Sequence, residues 1–210
     1  MAATPNSSAE TTGDRPPGLR DRARRAVRSE VAAVATRLFL ERGFAQTTVD
    51  QIAAEAGLSR ASFFRYFATK EDAVLGHLEG YGQQLRHALS ERPRQEPVWE
   101  ALRHAFDVVL EVISQPEALN IGRMMNETPS LKARHIEKWL AWQELLVPEI
   151  AERLTESAAH SPDPRPRALA AAALACLDAA LEAWVDSEGT EDLRGLFTEA
   201  MAAVSAPVHA

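Results

Sequence analysis

Cysteine is nearly absent from this sequence, with Cys176 the one example among 210 residues. No disulfide can therefore form within the chain, and a reducing compartment is expected. Residues 1–18 contain no apolar stretch of the kind that makes a secretory signal. No apolar run approaches the roughly 18 residues that are needed to span a bilayer. These absences predict a cytoplasmic protein with no membrane partner.

Patterns typical of catalysis are also missing. The six histidines show no metal-binding spacing such as H-E-x-x-H, and no glycine-rich loop that could hold a phosphate is present. A single cysteine leaves no Cys/His cluster for a structural metal. The sequence therefore predicts a protein that is not an enzyme, with no catalytic residues, no metal site and no cofactor.

Positive charge is scarce overall, since the formal net charge is −7. The average hides an asymmetry, because residues 15–70 hold 11 basic and 5 acidic side chains while the remainder is strongly acidic. Salt screens exposed charges beyond about 8–10 Å, so the local charge decides which partner a surface attracts. This asymmetry indicates that the N-terminal part meets a polyanion and that the rest does not.

The spacing of apolar residues predicts an all-α chain. Residues 1–18 are rich in Ser, Thr, Pro and Gly and are expected to form a disordered tail. Pro148 is expected to kink or divide its helix, because proline lacks the N–H donor and clashes with the preceding turn. Apolar periodicity and breaks at Gly and Pro predict about nine helices, at 21–42, 49–56, 60–67, 69–92, 97–114, 116–126, 129–157, 165–187 and 191–204.

Two short helices around Gly57 carry the most specific pattern. Thr48 can cap the helix "VDQIAAEA", and Ser59 can cap the helix "RASFFRYF". Gly57 permits the positive φ of a sharp turn, while Ala53 is small enough for two helices to cross closely. Helices joined by such a turn form a helix-turn-helix, whose second helix can enter the major groove of DNA.

The run "ERGFAQTTVDQIAAEAGLSRASFFRYFATKEDAV", residues 41–74, resembles the TetR family of transcription regulators. The resemblance implies a three-helix DNA-binding domain over 19–68 and a larger helical domain over 69–210 for ligand binding and dimerisation. It also implies double-stranded operator DNA, a small-molecule effector and a second copy of the chain as partners. Repression is the default activity in this family.

The resemblance, together with the positions expected to be exposed on the helix at 60–67, gives a set of candidate DNA contacts. Arg60 or Arg65 can clamp a guanine, contact phosphate or remain a solvated charge. Phe64 stands where relatives usually have Tyr, so it cannot donate to phosphate but can touch a thymine methyl group. Phe63 and Phe67, four residues apart, are interpreted as packing anchors. The candidate contacts are Thr48, Ser59, Arg60, Ala61, Ser62, Phe64, Arg65, Tyr66 and Lys70.

Residues 120–154 combine Met and Trp side chains with several polar groups, a composition that suits a ligand cavity. Each of these side chains can equally be ordinary core. This segment and the Ala-rich run after it also resemble the C-terminal domain of mycofactocin-regulator proteins, which implies a long-chain acyl-CoA or a similar acyl ligand. Arg123 and Arg134 would then meet its phosphates or carbonyl. The candidate ligand contacts are Arg123, Met124, Met125, Asn126, Arg134, Trp139 and Trp142.

The last two predicted helices, 165–187 and 191–204, offer small and apolar side chains for a homodimer interface, or for burial within one chain. Together with the family resemblance, the sequence predicts a ligand-responsive DNA-binding transcriptional regulator, a repressor that is released from its operator by a small apolar effector such as a long-chain acyl-CoA. The alternative is a DNA-binding regulator or an architectural protein that has no small-molecule effector.

Overall fold

The computed structural model describes residues 18–114, 116–154 and 162–205, so the expected disordered tail lies almost wholly outside the described residues. Within those ranges the chain is helical and contains no strand, which confirms the all-α prediction. A 3-10 turn at Gly76–Leu78 separates two of the helices. The α-helices are α1 (Leu19–Arg42), α2 (Val49–Glu55), α3 (Arg60–Phe64), α4 (Lys70–Leu75), α5 (Glu79–Ser90), α6 (Val98–Ala105), α7 (Asp107–Ile113), α8 (Pro116–Glu127), α9 (Pro129–Leu154), α10 (Arg165–Asp186) and α11 (Leu193–Ser205).

The nine predicted helices correspond to nine helical segments in these described ranges. The segment 70–90 is interrupted by the 3-10 turn, and the segment 98–113 is divided at Phe106. Boundaries elsewhere differ by a few residues, as is usual at helix ends that fray. Local periodicity and capping therefore located the helices correctly.

The first three helices share a core built on aromatic side chains. Phe63 and Phe67 are buried, with their ring centroids 5.5 Å apart, as predicted for packing anchors. The prediction that α3 extends to residue 67 was wrong, because the helix ends at Phe64. Residues 65–67 still donate backbone hydrogen bonds to Ser62 and Phe63 as a closing turn, while the carbonyls of Arg65 and Tyr66 accept from arginine side chains of α1.

Helix α4 belongs to both halves of the molecule. Thr69 caps it by accepting a hydrogen bond from Asp72 N at 3.1 Å. Ala73, Val74 and Leu75 are buried, and the helix packs against α1 on one side and α9 on the other. Helix α4 thus connects the N-terminal helices to α9.

Helix α9 continues through Pro148, so of the two predicted effects of this proline, a kink or a division, the division does not occur. Proline removes one N–H donor from the helix ladder. Leu146 and Ile150, on either side of it, are fully buried. Their packing stabilises both flanking turns, which offsets the lost hydrogen bond.

Helix α10 is more apolar than the sequence analysis allowed. By length and composition this 22-residue helix could cross a membrane, since an 18-residue window within it has a mean hydropathy of 1.7. It packs against α8, α9 and α11 of the same chain, burying Ala173, Leu177 and Trp184. One helix of this kind is weak evidence for a membrane span, because a core helix has the same composition.

Candidate nucleic-acid interface and ligand cavity

Side-chain caps fix the helix-turn-helix. Thr48 Oγ1 accepts from Gln51 N at 3.2 Å, and Gln51 Oε1 accepts from Thr48 N at 2.9 Å, which makes a complete capping box for α2. Gly57 has a φ of +68°, as its role in the turn requires. Ser59 Oγ accepts from Ser62 N at 3.1 Å and starts α3. These capping hydrogen bonds fix where α2 and α3 begin and so set the orientation of the first turn of α3.

The outer face of α3 presents charged, small and aromatic side chains together. Ser59, Arg60, Ala61, Phe64 and Arg65 are exposed, while Ser62 and Tyr66 are partly buried. Tyr66 packs against the core. Thr48, at the start of α2, is also exposed. The predicted contact residues on α3 and directly beside it are therefore accessible, although Ser62 and Tyr66 are only partly so.

Arg60 is held by two neighbours. Its Nη1 donates to Asp50 Oδ2 at 2.7 Å, and its guanidinium carbon lies 5.5 Å from the centroid of the Phe64 ring. Both side chains of this ion pair are more than half exposed. Exposed pairs contribute little to stability, so a phosphate or a base edge can replace Asp50 at small cost.

Lys70 has a structural contact that the sequence analysis missed. Its Nζ donates to the carbonyls of Phe44 at 2.8 Å and Thr47 at 3.2 Å, and it lies 4.2 Å from the Phe44 ring centroid. An ammonium group has three donors, so one N–H remains for another acceptor. Lys70 thus joins the start of α4 to the loop that precedes α2.

Arginines of α1 close the C-terminal end of α3. Arg28 Nη1 donates to Tyr66 O at 2.7 Å, with the guanidinium 4.8 Å from the Phe67 ring centroid. Arg24 Nη2 donates more weakly to Arg65 O at 3.4 Å. These side chains satisfy carbonyls that the end of a helix leaves free. The basic run of α1 therefore supports α3, in addition to any contact with DNA.

The larger domain encloses an apolar cavity of about 60 Å³ between α4, α7, α8, α9 and α10. Met125, Trp139 and Trp142, three of the candidate ligand contacts, line it. Trp139 and Trp142 meet edge to face at 4.9 Å. The α10 side of the cavity, formed by Leu181, Trp184 and Val185, was not among the predicted ligand contacts. The i, i+3, i+4 spacing of these residues indicates one apolar face of a helix.

The other predicted ligand residues lie elsewhere. Arg123 is exposed and Met124 is buried, and neither lines the cavity. Asn126 lines a smaller polar pocket of about 30 Å³ beside it. Arg134 lies outside both, because it precedes Trp139 by five residues and so lies roughly 140° around α9. The structure therefore does not gather these four residues into one ligand site.

Arg134 instead connects α9 with α4. Its Nε donates to Asp72 Oδ1 at 2.8 Å, and it also pairs with the exposed Glu137. Lys138 Nζ lies 3.8 Å from the same Asp72 oxygen. Burial alone would raise the pKa of Asp72, but the hydrogen bond and charge of Arg134 and the charge of Lys138 outweigh it and lower the pKa. A buried carboxylate thus fixes α4 against α9.

A second, wider cleft of about 650 Å³ lies between α1 and the helices α7 and α8. Its walls are mostly apolar and include Leu40, whose side chain is half exposed. The cleft shares Ile113, Ala118 and Ile121 with the enclosed cavity. These three side chains therefore form a wall common to the cleft and the cavity.

Residues 32–75 match the family described as bacterial regulatory proteins, tetR family, and residues 96–209 match the MftR C-terminal domain. The HTH-type transcriptional regulator TcmR of Streptomyces glaucescens is 32% identical over 176 residues, which cover 80% of this chain and 76% of TcmR. The putative mycofactocin biosynthesis transcriptional regulator MftR of Mycobacterium tuberculosis (strain ATCC 25618 / H37Rv) is 28% identical over 176 residues, covering 82% of this chain and 84% of MftR.

The fold is shared with the transcriptional regulator FadR from Bacillus subtilis, solved in complex with stearoyl-CoA. The TM-score is 0.61 at 16% identity, over 86% of this chain and 99% of that one. The helix-turn-helix geometry, the two family matches and the identity with TcmR agree. The chain therefore belongs to the tetR family of bacterial regulatory proteins and is a helix-turn-helix transcriptional regulator.

Proposed function

We propose that this protein is a homodimeric repressor that leaves its operator when a small apolar effector occupies the cavity of the larger domain. The observation that carries the proposal is the position of α4. This helix begins beside the helix-turn-helix at Lys70 and lines the cavity at Leu75. A regulator of chromosomal genes acts where the DNA is, so we expect it in the cytoplasm.

The exposed face of α3 is the proposed recognition surface. Arg60, at the start of α3, can exchange Asp50 for a guanine edge, and a bidentate contact of this kind discriminates between bases by about 1–3 kcal/mol. Lys70 retains one free N–H, and Thr48 and Tyr66 have hydroxyls, so these side chains suit phosphate contacts. Phe64 and Ala61 can meet thymine methyl groups, while Ser59, Ser62 and Arg65 complete the surface.

The homodimer is proposed to form through the outer faces of α10 and α11. A stripe of exposed alanines follows α10 at helical spacing, consisting of Ala168, Ala171, Ala175, Ala179 and Ala183. Small side chains let a second helix approach closely. Ala173 and Phe197 are buried in their own chain, so these two positions do not belong to the interface. The dimer would hold its two α3 helices about 34–36 Å apart, one turn of DNA.

A long-chain acyl-CoA is the first effector to test. The match to the MftR C-terminal domain and the stearoyl-CoA complex of FadR support an acyl ligand. The enclosed cavity of about 60 Å³ is far smaller than the roughly 300–1,000 Å³ of typical ligand sites. The ligand must therefore widen the cavity, and the wider cleft that shares its wall provides the space.

Widening the cavity would displace α9 relative to α4. Trp139 and Trp142 line the cavity, while Arg134 and Lys138 on the same helix hold Asp72 of α4. Asp72 is two residues from Lys70, which supports the loop before α2. An effector that prefers the displaced arrangement tenfold makes about 1.4 kcal/mol available against DNA binding. A small change in the tilt of α4 would then move the two α3 helices off their DNA spacing.

The experiment starts from an operator selected from a random DNA pool. Acyl-CoAs of increasing chain length are titrated into the labelled complex, and DNA anisotropy and tryptophan fluorescence are recorded together. The proposal expects both signals to change over the same concentration range. Fluorescence that changes while DNA stays bound would indicate a cavity without a switch. No response to any chain length would favour the alternative, a regulator without this effector.

A further inference from the structure

His135 stands in the wall of the enclosed cavity, and the proposed function does not use it. Its side chain lines both the apolar cavity and the small polar pocket next to it. Only 7% of its surface is exposed. A buried polar ring in this position can stabilise the packing of α9 or can bind a ligand. The hydrogen bonds that its two nitrogens make within the protein distinguish these two roles.

One edge of the imidazole is held by α10. His135 Nε2 lies 3.5 Å from Asp178 Oδ1, which also accepts from Trp139 Nε1 at 3.4 Å. The rings of His135 and Trp139 meet edge to face at 4.6 Å. The hydrogen bond from His135 also lowers the pKa of Asp178, so its carboxylate is ionised and can only accept. Nε2 must therefore carry the hydrogen.

The other ring nitrogen has no partner. Within the described part of the chain, His135 Nδ1 is the buried side-chain nitrogen or oxygen that makes no hydrogen bond. A ring that carries its hydrogen on Nε2 has a lone pair at Nδ1, so this buried atom is a hydrogen-bond acceptor that has no donor within the protein.

We infer that the effector is an apolar ring compound whose hydroxyl group donates a hydrogen bond to His135 Nδ1. Buried polar atoms are almost always paired, and a ligand donor would supply the missing partner. Trp139, Trp142 and Trp184 line the same cavity and offer ring faces and edges on which a flat ligand can pack. The inference rests on the proposed ligand-responsive function, and it replaces the acyl-CoA considered there with a different class of small apolar effector, because a saturated acyl chain has no donor to place there.

The test compares 2-naphthol with 2-methoxynaphthalene by calorimetry on the full-length protein. The two compounds share a ring system, but only the naphthol can donate. The methoxy compound is the more apolar, so a cavity without an acceptor favours it. We expect the naphthol to bind the wild type about tenfold more tightly, the effect of one buried hydrogen bond.

Three variants locate that preference. His135→Phe keeps a ring but removes the acceptor, and should bind the two compounds within about twofold of each other while still binding the methoxy compound. Asp178→Asn no longer fixes the hydrogen on Nε2, so the preference should decrease although binding persists. Met125→Leu changes another residue of the cavity wall at similar volume and should retain the wild-type preference.

Several outcomes overturn the inference. Equal affinity for the two compounds in the wild type would mean that Nδ1 meets no ligand donor. A preference that survives His135→Phe would assign the contact to another group. Failure of both naphthalenes to bind would also reject it. The proposed function is rejected separately, if neither these compounds nor any acyl-CoA changes operator binding. If an acyl-CoA releases the DNA but the protein does not prefer 2-naphthol over 2-methoxynaphthalene, only the inference is rejected.

Discussion

Arg134 of α9 donates from Nε to Oδ1 of Asp72 at 2.8 Å, although the two residues are 62 positions apart in the chain. Asp72 is 3% exposed and lies in the first turn of α4. The contact therefore ties the helix that lines the cavity to the helix that begins at the DNA-binding half.

Removing Arg134 should weaken this connection. In Arg134→Met, Asp72 keeps Lys138 and Thr69 but loses its best partner, so we expect a loss of about 1–3 kcal/mol in the free energy of unfolding. Chemical denaturation measures this loss. Glu137→Gln removes the exposed partner of the same arginine and should cost less than about 1 kcal/mol. Equal losses in the two variants would contradict a specific role for the buried contact.

Arg60 should set sequence preference and Asp50 should oppose it. Arg60→Ala is expected to relax specificity at one or two base positions, because a bidentate base contact contributes about 1–3 kcal/mol. Asp50→Asn removes the carboxylate that holds Arg60 at 2.7 Å and should increase DNA affinity. Competition binding at fixed salt checks both changes. Unchanged specificity in Arg60→Ala would assign base recognition to other side chains of α3.

Lys70 should affect DNA binding and folding together. Lys70→Met loses a phosphate donor, so affinity for every sequence should fall, with a smaller salt dependence. It also loses the bonds to the Phe44 and Thr47 carbonyls, which should cost about 1–2 kcal/mol of stability. Salt-dependent anisotropy and thermal unfolding separate the two effects. Arg42→Ala, exposed at the end of α1, serves as a control for charge alone and should leave stability unchanged.

Glu96 should make the protein sensitive to acid. A bidentate hydrogen bond from Arg92, together with one from His104, lowers the pKa of Glu96 from its ordinary 4.5 to about 2. The folded state therefore binds the proton more weakly than the unfolded state. This stabilisation is complete above pH 4.5 and is lost as the pH falls toward about 2.

In Glu96→Gln that pH dependence should be reduced, with lower stability at neutral pH. Circular dichroism of urea unfolding at several pH values between 2 and 7 measures it (roughly the range that Glu titration requires). Glu100→Gln removes an exposed partner of Arg103 and should follow the wild-type curve. Parallel curves for Glu96→Gln and the wild type would contradict the proposed role of Glu96.

The alanine stripe of α10 predicts how the dimer can be broken. Ala175→Arg places a long charged side chain on the exposed stripe and should give a folded monomer in sedimentation at micromolar concentration. Ala173→Arg should instead disrupt the fold, because Ala173 is completely buried in its own chain. Ala54→Arg, on the exposed face of α2, should leave the dimer intact. A wild type that sediments as a monomer would reject the interface altogether.

Much of the fold could be predicted because its signals are local. Thr48, Gln51 and Ser59 cap their helices through residues three positions away, and Gly57 turns the chain through its own φ. Phe63 and Phe67 lie one helical turn apart, so their burial on a common face follows from spacing. Interactions between residues this close in the chain can be predicted directly from the sequence.

The candidate sites were predicted less completely, because each depends on contacts between distant segments. The sequence predicts Lys70 as a DNA contact only, whereas in the structure its ammonium group also donates to the carbonyls of Phe44 and Thr47. Arg134 has the positive charge that suits a contact with an anionic ligand, but its position around the axis of α9 places it against Asp72. The enclosed cavity needs α10, whose wall residues are between 39 and 67 positions from those of α9 and α8.

The sequence by itself determined the helices, the helix-turn-helix and the family, since caps, glycine turns and apolar periodicity act over a few residues. Only the tertiary structure decided which side of each helix is used: Ala173 is buried and Ala175 is exposed two positions later. It also left His135 Nδ1 without a partner. The physical reason is that burial and hydrogen-bond pairing depend on how helices pack, and a helix of uniform composition such as α10 does not specify its neighbours.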